Sequence, residues 1–161
     1  PAPSSAPAGG AAVRPRVLFA CTGNSARSPI AAALLRHRGG GHVEVMSAGS
    51  HPKARMHPNA VRVLREEYGL DLAGVRPRHL DAVDPRRFSH LISLCDKVRE
   101  AHPAFGERPR PTHWSIPDPA ATGGDDQVSY PAFVDTAREL DTRIRRLLPV
   151  LTPATTPEVP S

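Results

Sequence analysis

The chain has 161 residues, 39% of them hydrophobic, and a formal net charge of +5. That length suits one compact domain, and two cysteines, Cys21 and Cys95, are too few for a disulfide framework or a four-cysteine zinc site. No apolar run approaches the ~20 residues that cross a bilayer and no charged-then-apolar leader is present, so a cytoplasmic protein without a membrane partner is expected.

Residues 1–15, "PAPSSAPAGGAAVRP", cannot build a core and are expected to be a flexible linker or tail. Because the chain begins without methionine, a further module ahead of it, such as a DNA-binding one, would supply any nucleic-acid contact. The domain itself is expected over residues 16–150, with residues 151–161 as a disordered tail. Val17–Ala20 reads as a strand buried on both faces. Ser28 is placed to cap a helix that has Pro29 in its first turn and Ile30, Ala33, Leu34 and His37 on one face. Gly39–Gly41 stops that helix.

"HVEVMSAG" alternates as a second strand. Pro58 then opens a helix with Val61, Leu64 and Tyr68 inward and Gly69 at its end. "HLISLC" and "PTHWSI" give a third and a fourth strand. The last helix is expected from Pro131 to Pro149, since Phe133, Ala137, Leu140, Ile144, Leu147 and Leu148 keep helical spacing. Strands alternating with helices predict an α/β fold: a small doubly wound, four-stranded parallel sheet flanked by helices. Such sheets bind ligands at the carboxyl ends of strands where the strand order reverses, which directs attention to the loop after the first strand.

That loop is "CTGNSARS", residues 21–28. A tight strand-to-helix turn aims backbone N–H groups into one concavity, and the helix end adds partial positive charge, so an oxyanion is favoured there. A thiol at this position is expected to ionise easily, with a pKa of roughly 3.5–7.5 as in comparable settings. Arg27, six residues after Cys21, offers a planar fork for a tetrahedral anion, while Thr22, Gly23, Asn24, Ser25 and Ala26 line the binding loop. The bland alternative is a buried structural cysteine at a strand end.

A leaving oxygen needs a proton, and two Asp-Pro pairs compete to supply it. Asp84 precedes the third strand and falls on the amino side of the sheet. Asp118 follows the fourth, on the same side as Cys21, and is therefore the expected acid. Cys95 ends the third strand and is expected on that edge too. The eight histidines show no metal-binding spacing and are read as surface or packing residues, so neither a metal nor a cofactor is expected. The basic residues, nearly all arginine, alternate with acids on helices and imply solvated faces rather than a nucleic-acid surface.

Taken as an ordered set, "CTGNSARS", "SAGS" at 47–50, "LCDKVRE" at 94–100 and "HWSIPDPA" at 113–120 resemble the low-molecular-weight protein tyrosine phosphatases and, more closely, the arsenate reductases that share their fold. The resemblance spans residues 16–150 and is in the style of actinobacterial members. It implies that Cys21 is the nucleophile, Arg27 the oxyanion clamp, Ser28 the residue easing thiolate departure, and Asp118 the acid and then the base. Asn24 and Ser47 match the pair that braces the loop.

Two departures point in opposite directions. Thioredoxin-coupled reductases of this kind pass oxidation from the first cysteine to a second, matched by Cys95, and then to a third seven residues on. That third position is His102, and the loop's own second cysteine is Ala26. Ala32 stands where those reductases keep an acidic cation ligand. The phosphatases, for their part, wall the pocket with aromatics, whereas Ala120, Ala121 and Thr122 follow the Asp-Pro here and aromatic residues make up only 4% of the chain. The expected function is a phosphatase-type hydrolase acting through a cysteinyl phosphate on phosphate- or phosphotyrosine-type substrates. Arsenate reduction with an external thiol such as mycothiol or glutathione, or with a redoxin, comes next. An oxyanion-sensing domain of a regulator is the third reading.

Overall fold

The computed structural model describes residues 14–72, 74–101 and 112–152. Strand β1 (Arg16–Cys21) pairs in parallel with β2 (Glu44–Gly49) on one side and with β3 (His90–Ser93) on the other. Strand β4 (Thr112–His113) pairs with β3, so the order is β2-β1-β3-β4 and all pairings are parallel. Val17, Phe19 and Cys21 face one core while Leu18 and Ala20 face the other, which is why β1 shows no polar alternation. Between β1 and β3 the chain order reverses, and the crevice beyond their carboxyl ends is where such a sheet binds ligands.

Helices α1 (Arg27–Gly39), α2 (Pro58–Tyr68) and α4 (Asp126–Leu151) contribute to the larger core with Ile30, Leu34, Leu64, Phe133, Leu140 and Ile144. Arg38 of α1 pairs with the buried Asp141 of α4 and locks the two together. The other face is covered by the short helix α3 (Asp96–Ala101), through Val98, and by single 3₁₀ turns at Leu80–Ala82 and Pro85–Arg87. The α/β class and the four-stranded parallel sheet are as the sequence predicts.

Several boundaries differ. Ser28 does not cap α1: the cap position is Ala26, which makes no side-chain bond, and Ser28 lies inside the helix with its hydroxyl engaged by Asn24 and Cys21. Helix α4 begins before Pro131, because the Asp125 carboxylate accepts from Val128 N (2.9 Å) and Asn59 Nδ2 donates to Asp126 O (2.6 Å) and Ser129 Oγ (3.0 Å). The helix accommodates Pro131 in its second turn and continues past Pro149 to Leu151, although an interior proline removes one backbone donor. Beyond the short β3 and β4, Trp114 N and Ile116 N still donate to Ser93 O and Leu94 O, so the chain stays alongside β3 as far as the active edge. His102 lies outside the described residues.

Candidate active site

Cys21 is the last residue of β1 and Arg27 the first of α1, so residues 22–26 close a tight connection between them. The carbonyls of Cys21, Thr22, Gly23 and Ser25 accept from the backbone N–H groups of Ser50 (3.2 Å), His51 (2.8 Å), Lys53 (2.9 Å) and His57 (2.9 Å). A peptide whose carbonyl turns outward turns its N–H the other way. The loop's amides are therefore aimed into the bowl above Cys21, a ready anion site.

This bracing depends on a close approach of two chains. Gly49 stands opposite Cys21 across the sheet, and a Cβ there would lie 2.5 Å from Thr22 O and 2.9 Å from Asn24 N. Asn24 adopts φ = 48°, a left-handed conformation that asparagine tolerates better than most residues. Its side chain holds it there: Nδ2 donates to Ser28 Oγ (2.8 Å) and Ser47 Oγ (2.9 Å), and Oδ1 accepts from Arg78 N (2.8 Å). Asn24 and Ser47 thus sit in contact, and the buried network ends at Cys21, whose Sγ lies 3.0 Å from Ser28 Oγ.

The thiol itself departs from expectation. Burial pushes the Cys21 thiol above its ordinary value. The Ser28 hydroxyl, the Ser28 and Asn24 amides and the Arg27 charge pull it back down, without winning. Converging amides and a helix end predict an easily ionised thiol; what opposes them is the loss of water around Cys21, a residue only 2% exposed.

Arg27 is buried, and its Nη1 donates to the Ile116 carbonyl (3.0 Å), two residues before Asp118. Asp118 is exposed, accepts from Ala120 N (3.0 Å), and lines the same cleft of about 710 Å³ as Cys21 and Arg27. Asp84 instead accepts from Arg86 N in the 3₁₀ turn before β3, at the opposite end of the sheet. Half-buried Cys95 also borders the cleft, with its Sγ 3.1 Å from Thr22 Oγ1. The chain just after it is held by His113, which bonds Asp96 (2.9 Å) through Nε2 and Ser93 Oγ (2.7 Å) through Nδ1.

Other lining residues lay outside the sequence reading. His51, Lys53 and His57 border the cleft on the β2 side, Asp96 and Lys97 on the β3 side. Of the two histidines here, His57 also caps α2 and stacks on Phe133 at 4.5 Å, a packing role. The signal was present in "SAGS": a parallel register that sets Gly49 opposite Cys21 obliges the chain after β2 to run beside the loop after β1. No Phe, Tyr or Trp lines the cleft among the described residues. No three His, Cys, Asp or Glu side chains among those residues converge as metal ligands, and no helix among them is long and apolar enough to cross a membrane.

Comparison with known proteins places this geometry in context. The sequence pattern described as "Low molecular weight phosphotyrosine protein phosphatase" matches residues 16–156. An arsenate reductase of Bacillus licheniformis is 30% identical over 133 residues, covering 81% of this chain and 92% of the relative. Among solved structures, the YwlE arginine phosphatase from Geobacillus stearothermophilus superposes with a TM-score of 0.70 at 29% identity, covering 89% of this chain and 99% of its own. A thioredoxin-dependent arsenate reductase of Corynebacterium glutamicum gives a TM-score of 0.65 at 32% identity, covering 86% of this chain and 62% of that one.

Proposed function

Because the chain belongs to the low molecular weight phosphotyrosine protein phosphatase family, we propose that it is a phosphomonoester hydrolase working through a cysteinyl-phosphate intermediate on Cys21. The observation that carries this reading is the conjunction in one cleft of Cys21, with Ser28 Oγ 3.0 Å from its sulfur, the Arg27 guanidinium and the Asp118 carboxyl. Phosphate-type oxyanions are the substrates, and no resident cofactor takes part.

The dianionic ester seats its non-bridging oxygens on the inward amides of residues 22–26 and on Arg27, which stabilise the charge of an in-line displacement. The Cys21 thiol yields its proton to that dianion. A raised thiol pKa is no obstacle, since thiol plus dianion carries the same proton count as thiolate plus monoanion. The sulfur forms an S–P bond while the P–O bond to the leaving group breaks, and Asp118 in its acid form protonates the departing oxygen. The carboxylate left on Asp118 takes a proton from water, whose oxygen bonds to phosphorus as the S–P bond breaks. Ser28 donates to the sulfur that leaves with the electron pair.

A second reading is favoured by the position of Cys95, one hydrogen bond from the loop through Thr22. Cys21 displaces water from arsenate to form an S–As bond. Cys95 or an external thiol then attacks the Cys21 sulfur, and the S–As electron pair passes to arsenic, releasing arsenite and leaving a disulfide. A further thiol of the mycothiol or glutathione class, or a dithiol redoxin, reduces that disulfide. The likeness to the reductases of Bacillus licheniformis and Corynebacterium glutamicum supports it.

One pair of assays separates the readings: p-nitrophenyl phosphate hydrolysis, and arsenate reduction with each thiol or with thioredoxin. The hydrolase reading expects turnover to fall by at least about 10⁴-fold in Cys21→Ser and to be largely retained in Cys95→Ser. Arsenate turnover that exceeds hydrolysis and is lost in Cys95→Ser establishes the reductase instead. Silence in both, with phosphate still bound, leaves an oxyanion sensor.

A further inference from the structure

The basic residues of this chain are nearly all arginine, yet its two lysines, Lys53 and Lys97, both border the cleft above Cys21. They reach it from different elements: Lys53 from the segment after β2, Lys97 from the first turn of α3 after β3. Lys53 is anchored to the oxyanion loop twice. Its backbone N–H donates to Gly23 O at 2.9 Å, and its Cγ and Cε lie 3.2 and 3.3 Å from where a Gly23 Cβ would stand. The absence of a side chain at Gly23 is what lets the lysine stem cross the loop.

Arg14, Arg16, Arg38, Arg62, Arg86 and Arg143 each pair with a carboxylate, whereas among the described residues neither Lys53 nor Lys97 enters an ion pair. The two carboxylates that share the cleft are otherwise engaged: Asp96 bonds His113 at 2.9 Å, and Asp118 is the group that the hydrolase reading uses as proton donor. Among the described residues no Phe, Tyr or Trp stands in the lining, and the imidazoles of His51 and His57 add polar atoms to it.

We propose that the cleft selects a phosphomonoester whose leaving portion carries a second anionic group, received between Lys53 and Lys97 while Cys21 and Arg27 hold the phosphoryl group. The proposal rests on the hydrolase reading and specifies its substrate class. An anion a few ångströms beyond the phosphate finds two point charges from different walls. Two partly exposed pairs of this kind are worth an affinity gain of about 3- to 10-fold at low ionic strength, screened as salt is added.

The test uses non-hydrolysable ligands, so it does not depend on turnover. Binding of benzylphosphonate, its 4-carboxy derivative, 1,4-bis(phosphonomethyl)benzene and the 4-aminomethyl derivative is measured by calorimetry on the full chain. The wild-type protein is expected to bind at least one of the two anionic derivatives about 3- to 10-fold more tightly than benzylphosphonate, and the 4-aminomethyl derivative least tightly. Which derivative gains more tells a carboxylate from a second phosphate. In Lys53→Met or Lys97→Met the affinity ratio between anionic derivative and parent falls, and in Lys53→Glu it drops below one. Each ratio is taken within a single variant, so a general loss of phosphonate affinity cancels. A wild-type ratio near one, a ratio untouched in the double lysine variant, or no phosphonate binding at all overturns the proposal. If the ratios behave as expected but p-nitrophenyl phosphate is not hydrolysed, the hydrolase reading falls while the anion-binding lysine rim stands.

Discussion

The two sides of the cleft are built to different standards. Around Cys21 nearly every group is fixed more than once: four loop carbonyls are engaged by the 50–57 segment, Asn24 makes three side-chain bonds, and β2 presses against the loop at Gly49. Across the cleft β4 has two residues, α3 has six, and Asp118 is exposed with one short turn bond. The oxyanion bowl must match a geometry that exists only at the transition state, so it gains from rigidity. A proton donor must first admit the ester and later a water. Compliance on that side costs the chemistry little.

Asp118→Asn probes the compliant side and carries the largest effect. The amide keeps the turn bond to Ala120 N and cannot donate a carboxyl proton. Hydrolysis of phenyl or alkyl phosphates is therefore expected to slow by about 10²–10⁴-fold, with a much smaller loss for p-nitrophenyl phosphate, whose leaving oxygen needs little protonation. Plotting rate against leaving-group pKa should give a steeper slope in the variant. Equal losses across the series would mean that this side only shapes the cleft.

Gly49→Ala probes the rigid side without touching a reacting group. The new methyl meets backbone atoms at 2.5 and 2.9 Å, so β2 and the loop must part by a fraction of an ångström or more. Overpacking of this kind costs about 1–3 kcal/mol of stability, visible in urea unfolding, and misplacing the oxyanion amides lowers kcat by up to about 10²-fold. A variant that loses stability but keeps kcat would show that the bowl tolerates displacement, and the contrast between the two sides would weaken.

The same division explains what the sequence made legible. The β1–loop–α1 unit is local, and its chemistry follows from the order Cys21, Gly23, Arg27 along seven residues. The helix faces followed from periodicity, as with Leu140 and Ile144 of α4. Less legible was whatever depends on a distant chain. That Ser28 serves a sulfur rather than a helix end is decided by Asn24, itself held by Ser47 and Arg78. That α4 continues through Pro131 is decided partly by Asn59 of α2. That Lys53 reaches the cleft follows only once Gly49 is seen opposite Cys21. Local pattern names the reacting groups; register across the sheet names their company.

The smallest expected effect is the sharpest measure of the rigid side. A bowl fixed before any ligand arrives also excludes water from its sulfur, and with Cys21 this desolvation outweighs the donors around it. In a Cys95→Ser background, alkylation of Cys21 by iodoacetamide should follow the thiolate fraction and reach half its limiting rate above the ordinary thiol value of about 8.5. Because Ser28 Oγ is the foremost of the opposing influences, Ser28→Ala should move that midpoint further upward. The sign for folding is the same: the native loop favours the protonated sulfur, so this stabilisation is complete below about pH 8.5 and is lost as pH rises through the higher native value. Melting temperatures compared with Cys21→Ala across that window should converge as pH rises. A midpoint below 8.5 would mean that converging amides and Arg27 overcome burial even without an anion, and the bowl would then hold its charge in advance rather than take it on with the substrate.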